Sequence, residues 1–201
     1  WFSYFYFKPS KGKHINNTYT EALNAMLLAD KRKAISLLSN VVKKDSSHID
    51  AYLQLGNLLR DEEPDRAIKI HQMLTVRPNM LKETKIEILK SLALDYEKTS
   101  ELGKAKNEAE KIVAINKENQ WANSFLLSIS EKMEDWDYAE LKAIELQKIK
   151  GFNEPINLSK YTLKKGLEYF KNNDMTEAEI LFRKAIKESP NFGLPYRYLG
   201  D

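Results

Sequence analysis

The chain has 201 residues, 30% of them charged and 42% hydrophobic, and a net charge of +3. This is the balance of a helical protein with solvated outer faces. So small a charge, with no Arg-rich stripe interleaved with aromatics, gives no argument for nucleic acid as a partner. With no cysteine a disulfide framework is excluded, which suits a reducing compartment.

The first seventeen residues stand apart. Trp1-Phe2-Ser3-Tyr4-Phe5-Tyr6-Phe7 is nearly all aromatic, and Lys8-Pro9-Ser10-Lys11-Gly12-Lys13-His14 follows at once. Trp and Tyr gather at membrane–water interfaces, and Lys or Arg beside a span favours the cytoplasmic side. Seven residues cannot cross about 30 Å of hydrocarbon. Residues 1–17 therefore read as the end of an N-terminal membrane anchor with its juxtamembrane linker. An apolar strand capping the first repeat is the alternative. A cleaved signal peptide fits less well, because no small-residue cleavage site follows.

From residue 18 the pattern predicts helix after helix: 18–29 and 31–44, 48–60 and 64–76, 82–98 and 101–115, 118–132 and 135–148, 157–172 and 174–188. Ala22, Gly56, Ala93, Leu127 and Gly166 recur in the first helices, where a partner helix approaches closely. Ala34, Ala67, Ala105, Ala139 and Ala178 recur in the second helices, at spacings of 33, 38, 34 and 39 residues. Asp65 and Ser100 lie near second-helix starts, where a short polar side chain can cap free N–H groups. Pro64 fits a first helical turn. The runs Lys31-Arg32-Lys33 and Asp61-Glu62-Glu63 fall at turns between helices and read as solvated. Gly151-Phe152-Asn153-Glu154-Pro155 is either a packed loop between repeats or a hinge.

The last stretch makes the period explicit. Gly166-x2-Tyr169, Ala178-x3-Phe182, Ala185 and Pro190 lead to Tyr196-x2-Leu199-Gly200, and Gly200 lies 34 residues after Gly166. Length and pattern are those of the tetratricopeptide repeat. The expected fold is all-α, a right-handed superhelix (α-solenoid) of antiparallel helix pairs. Residues 18–150 form four repeats, and 151–201 a fifth plus the start of a sixth on a truncated chain. Such an array is one quasi-linear domain with a continuous core, and binding is its first functional expectation.

Nothing in the chain spells catalysis. His14, His48 and His71 are far apart, and there is no glycine-rich phosphate loop, nucleophile elbow or metal-binding pair. His71 takes a place where this repeat packs a large apolar residue, and reads as a partly buried packing histidine. The chain is expected to be no enzyme and to have no small-molecule substrate and no cofactor of its own.

Leu55-Gly56-Asn57-Leu58-Leu59-Arg60, with Asp65-Arg66-Ala67-Ile68-Lys69-Ile70-His71-Gln72, resembles the lipopolysaccharide assembly protein B family. Tyr19 and Ala22, Leu92 with Asp95-Tyr96, and Trp136 with Ala139 fall where that family has similar residues. The turn before Pro64 is one residue shorter than the usual repeat. The resemblance implies an inner-membrane protein, single-pass, with its repeats facing the cytoplasm and a C-terminal rubredoxin-like module, absent from this chain, that binds zinc. It implies an adaptor that links the LpxC deacetylase to the FtsH membrane protease and so regulates lipopolysaccharide biosynthesis. A generic membrane-tethered scaffold for envelope or secretion machinery is the alternative, and an enzyme whose catalytic module lies beyond Asp201 is a third.

First helices line the concave face in this architecture. The expected partner-binding residues are Tyr19, Leu53, Asn57, Arg60, Lys90, Glu97, Trp121 and Phe170. Asn57 and Arg60, one turn apart, could hold a peptide backbone and a carboxylate, since Arg offers a planar fork of donors. The competing reading has Asn57 bonded to a neighbouring helix and Arg60 solvated. Trp121 is either an anchor on a partner or packing between repeats.

Overall fold

The computed structural model describes residues 11–152 and 155–200. Among them lie eleven helices: α1 (Lys11–Leu27), α2 (Lys31–Lys44), α3 (Ile49–Leu59), α4 (Pro64–Thr75), α5 (Lys82–Lys98), α6 (Leu102–Ile115), α7 (Gln120–Lys132), α8 (Trp136–Lys150), α9 (Pro155–Lys171), α10 (Met175–Glu188) and α11 (Leu194–Leu199). The aromatic run before Lys8 lies outside the described residues. No described helix is long and apolar enough to cross a membrane.

The helices follow the sequence reading closely from α2 onward. The first helix starts earlier than expected, at Lys11 rather than 18. Ile15, Thr18, Ala22 and Ala25 are all buried, a stripe at helical spacing that carries the core back into the stretch read as linker. The chain divides into two compact units, Trp1–Glu101 and Leu102–Asp201. In the first, α1 packs on α2, α3 on α4, and α2 and α4 each pack on the next first helix. In the second, α7 packs on α6 and α8, α8 on α9, α9 on α10, and α10 on α11.

The small residues sit where the helices of a pair meet, and their sizes complement the facing side chain. An ideal Cβ on Gly56 would lie 2.5 Å from His71 Nε2, and one on Gly166 would lie 2.7 Å from Phe182 Cε1. Both rings come from the position four residues after the repeated alanine, at Ala67 and Ala178. Where that position shrinks to Ala143, the first helix carries Leu127, which packs against the cluster of Ala139, Ala143 and Tyr161. Ala22 shares a core cluster with the intermediate case, Leu38. In these four pairs, volume given up on one side of the contact is taken up on the other.

The turns repeat as well. Ala29, Ser100, Glu134 and Asn173 all take a left-handed φ of 55–62°, at +56°, +61°, +57° and +61°. Each lies seven residues after the small or Leu127 position of its own first helix. The corresponding residue of the second repeat, Glu63, has a negative φ of −134°. Its turn is the one that is a residue short, so no left-handed residue is required. Asp30, Asp135 and Asp174 follow three of the left-handed residues and cap α2, α8 and α10 by accepting from Lys33, Tyr138 and Glu177 N–H. Such caps contribute about 1 kcal/mol each.

Two capping expectations are corrected. Asp65 lies inside α4, whose N-cap is Glu63 without a side-chain cap bond and whose first residue is Pro64. Ser100 is occupied as the left-handed turn residue. The charged runs at the turns are not merely solvated, since Lys31 Nζ lies 2.7 Å from Glu62 Oε1 and Lys98 Nζ 2.9 Å from Asp61 Oδ1. Exposed pairs of this kind contribute less than about 1 kcal/mol.

Candidate functional site

The polar motif residues of the second repeat converge on one buried network. Arg60, the C-cap of α3, directs Nε to Asp95 Oδ1 at 2.6 Å. Its terminal nitrogen donates to Asn57 Oδ1 at 2.7 Å and to the Ser91 carbonyl at 3.2 Å. On the far side of the same carboxylate, His71 Nδ1 lies 2.5 Å from Asp95 Oδ2, and His71 Nε2 faces the Leu53 carbonyl at 3.3 Å. The next residue of α4, Gln72, donates to the Tyr96 hydroxyl at 2.7 Å. Helices α3, α4 and α5 are thereby joined through a single carboxylate.

His71 and Asp95 have no exposed side-chain surface, and Arg60 has 19%. A charge so deeply placed is tolerable only when paired and hydrogen-bonded. Asp95 has both oxygens engaged, and both ring nitrogens of His71 face acceptors. The dyad cannot meet a substrate, because the surrounding helices seal it. Its chemistry is that of a fastener between helices. His71 is thus wholly buried, beyond the partial burial expected of it, and Gly56 is what admits its ring.

The other anticipated residues are placed as follows. Leu53 is 8% exposed and packs with Leu74 and Ile88 in the core. Arg60 is largely buried and hydrogen-bonded rather than free, and Asn57 bonds within its own helix. Tyr19 is half-buried with its ring 4.5 Å from that of His48, and burial pushes its phenol above the ordinary range. Lys90 is partly exposed with Glu87 at 3.8 Å, and Glu97 is half-buried. Trp121 stacks on Phe125 in its own helix at 4.9 Å. Phe170 is 39% exposed and meets Phe182 and Tyr198 at 6.4 and 6.1 Å.

A second fastener, missed as such by the sequence reading, occupies the matching place in the other unit. Glu131 stands in the same relation to Leu127 as Arg60 to Gly56. It accepts from the Tyr161 hydroxyl at 2.7 Å and from Lys160 at 3.0 Å, joining α7 to α9. Burial works to raise its pKa, but these two hydrogen bonds and the charge of Lys160 outweigh it and hold Glu131 below the usual carboxylate range. Trp136 Nε1 adds a bond to Glu168 at 2.7 Å. The signal for both was available as a charged residue ending a first helix, but its partner sits a full repeat away.

No cluster of three or more His, Cys, Asp or Glu that could hold a metal occurs among the described residues. No protein-family model matches the chain. It is similar to lipopolysaccharide assembly protein B of Escherichia coli (strain K12), with 24% identity over 185 residues, 92% of this chain and 48% of that protein. The Haemophilus influenzae protein of the same name is 28% identical over 185 residues, 88% and 46% of the two chains. The chain spans about half the length of these relatives. Among solved structures, MamA superposes with a TM-score of 0.62 at 20% identity, covering 92% of this chain and 96% of MamA. YrrB, described as a tetratricopeptide-repeat protein with an unusual peptide-binding site, gives 0.59 at 15% identity, covering 96% and 98%. A tetratricopeptide repeat protein from Parabacteroides merdae gives 0.63 at 16%, covering 92% and 73%. The fold is the tetratricopeptide repeat. Within it, the two fasteners tie the first helix of one repeat to the first helix of the next, α3 to α5 and α7 to α9.

Proposed function

We propose that this tetratricopeptide chain is a non-catalytic adaptor that holds a cytoplasmic deacetylase of lipopolysaccharide synthesis, LpxC, near the membrane protease FtsH. The observation that carries the reading is the similarity to lipopolysaccharide assembly protein B over 92% of the chain, taken with the buried network. Asn57, Arg60, His71, Gln72, Asp95 and Tyr96, which are among the residues through which the sequence resembles that family, fasten α3, α4 and α5 together. Their role is to stiffen the array, and a stiff array loses less entropy when a partner binds.

In this reading the partner lies along the first helices, over the accessible parts of Tyr19, Asn57, Lys90 and Glu97 in one unit and of Trp121 and Phe170 in the other. Leu53 and Arg60 support that surface from beneath. An adaptor needs no chemistry of its own, since tethering substrate and protease raises their effective concentration for one another. In this reading the aromatic run of residues 1–7 ends a membrane anchor that holds the protein at the inner membrane with its repeats in the cytoplasm, and a zinc module belongs to a part of the protein beyond this chain. That a fold relative is described as binding a peptide is consistent with a groove so used.

The test is direct. Immobilise the chain and measure binding of purified deacetylase and of the soluble part of the protease, for wild type and for Lys90→Glu with Glu97→Lys. The adaptor reading expects both proteins to bind and the charge reversal to weaken at least one of them by roughly tenfold. Absence of binding to either protein leaves the generic scaffold as the better reading.

A further inference from the structure

The second helices carry a feature that the adaptor reading does not use. Between α6 and α8 lies a cleft of about 610 Å³, within the range of about 300–1,000 Å³ typical of binding pockets. Its apolar surface comes from Val113, Ala114 and Ile149, with Leu126 of α7 at the bottom. Leu126 is fully buried and Ala114 exposed. Three lysines and two glutamates also line it, and their pairing is uneven.

Glu110 accepts from the Tyr138 hydroxyl at 3.0 Å. Burial, reinforced by that bond, pushes the phenol far above its ordinary range, so it stays a donor. Glu145 accepts from Lys142 at 2.7 Å. Lys142 is the unusual member, an ammonium on a side chain only 7% exposed. An ammonium has three donors, and Lys142 has this one carboxylate and the Tyr138 ring at 5.2 Å. Lys117 and Lys148 are exposed on the rim, and among the described residues neither enters an ion pair. Both carboxylates are therefore engaged while cationic capacity is left over, beside an apolar floor.

We propose that this cleft binds an acidic peptide segment through one large apolar side chain flanked by carboxylates. The apolar residue fills the floor, and the carboxylates meet Lys117 and Lys148 on the rim and the spare donors of Lys142. The two wall glutamates favour a peptide over a polyphosphate or an anionic membrane. A peptide places its acids at separate points and offers backbone N–H groups to Glu110 and Glu145, whereas a continuous sheet of phosphates meets both carboxylates as repulsion. This site lies on second helices, so it is separate from the first-helix surface assigned to the adaptor function.

The experiment uses the 201-residue chain and a fluorescein-labelled peptide of sequence Ser-Asp-Glu-Leu-Trp-Glu-Asp-Ser, read by anisotropy. Two control peptides replace the acids with Asn and Gln, or the Leu-Trp pair with Ser. Lys117→Glu with Lys148→Glu, both at exposed positions, lowers affinity for the acidic peptide by roughly ten- to thirtyfold. Ala114→Trp fills the cleft from an exposed position and removes binding. Lys90→Glu with Glu97→Lys leaves it unchanged, which separates this site from the adaptor surface. Far-ultraviolet circular dichroism checks that each variant folds, and the lysine variant alone decides if Ala114→Trp does not. Equal binding by wild type and the lysine variant overturns the proposal. So does failure of the acidic peptide to bind better than both controls, or binding of phosphatidylglycerol vesicles through these lysines with no binding of the peptide.

Discussion

Arg60 and Asp95 belong to first helices of successive repeats, and the guanidinium Nε of one lies 2.6 Å from the carboxylate of the other. Asp95 is fully buried and shares its second oxygen with His71. Removing one partner of a buried pair leaves an uncompensated charge, which costs about 3–5 kcal/mol when burial is complete. Arg60 is 19% exposed, so water partly replaces it, and Arg60→Ala is expected to cost about 2–3 kcal/mol by urea unfolding. Asn57→Ala, which deletes only one bond to the same guanidinium, costs about 1 kcal/mol. Equal effects of the two substitutions would show that Asp95 does not depend on Arg60.

The contact of Gly166 with Phe182 gives a compensation test. A Cβ at position 166 would stand 2.7 Å from the Phe182 ring, so Gly166→Ala should destabilise the second unit by roughly 1–3 kcal/mol through overpacking. Adding Phe182→Leu makes room for it, as Leu38 does opposite Ala22. The double variant is expected to melt above the sum of the single effects. Strict additivity of the melting shifts contradicts the volume trade across the helix pair.

That trade also measures how far the sequence could be read. The period of small residues announced the helix pairs, because close approach leaves a mark at fixed spacing. The size of the facing side chain was equally visible at Leu38, His71, Ala143 and Phe182, four residues after Ala34, Ala67, Ala139 and Ala178. What stayed hidden was pairing between repeats. Nothing local tells that Arg60 ends against a carboxylate 35 residues on, or that Glu131 ends against Tyr161. Arg60 therefore looked like a free fork in the groove, and Leu53 like a groove residue when its neighbours place it in the core. The start of α1 was misplaced for another reason. The basic residues after the aromatic run read as linker, although Ile15 and Thr18 already continue the buried stripe.

Glu131 supplies a pH prediction. Its carboxyl is held below the ordinary range in the folded chain by Tyr161 and Lys160, despite burial. A depressed folded pKa means that its contribution to stability is complete above the unfolded value and is lost as pH falls through the folded one. Between about pH 5 and about pH 3 the melting temperature of the wild type should fall more steeply than that of Glu131→Gln. Parallel curves for the two proteins would remove Glu131 from the list of residues that make the array acid-sensitive.

The adaptor function is tested most directly by the half-life of the deacetylase in growing cells. Express the protein in cells that lack it, stop protein synthesis, and follow deacetylase abundance by immunoblot. Compare the wild type, the empty vector, and Lys90→Glu with Glu97→Lys. The adaptor reading expects fast turnover with the wild type and several-fold slower turnover with the vector, by loss of effective concentration, with the charge-reversal variant between them. An identical half-life with and without the protein contradicts it.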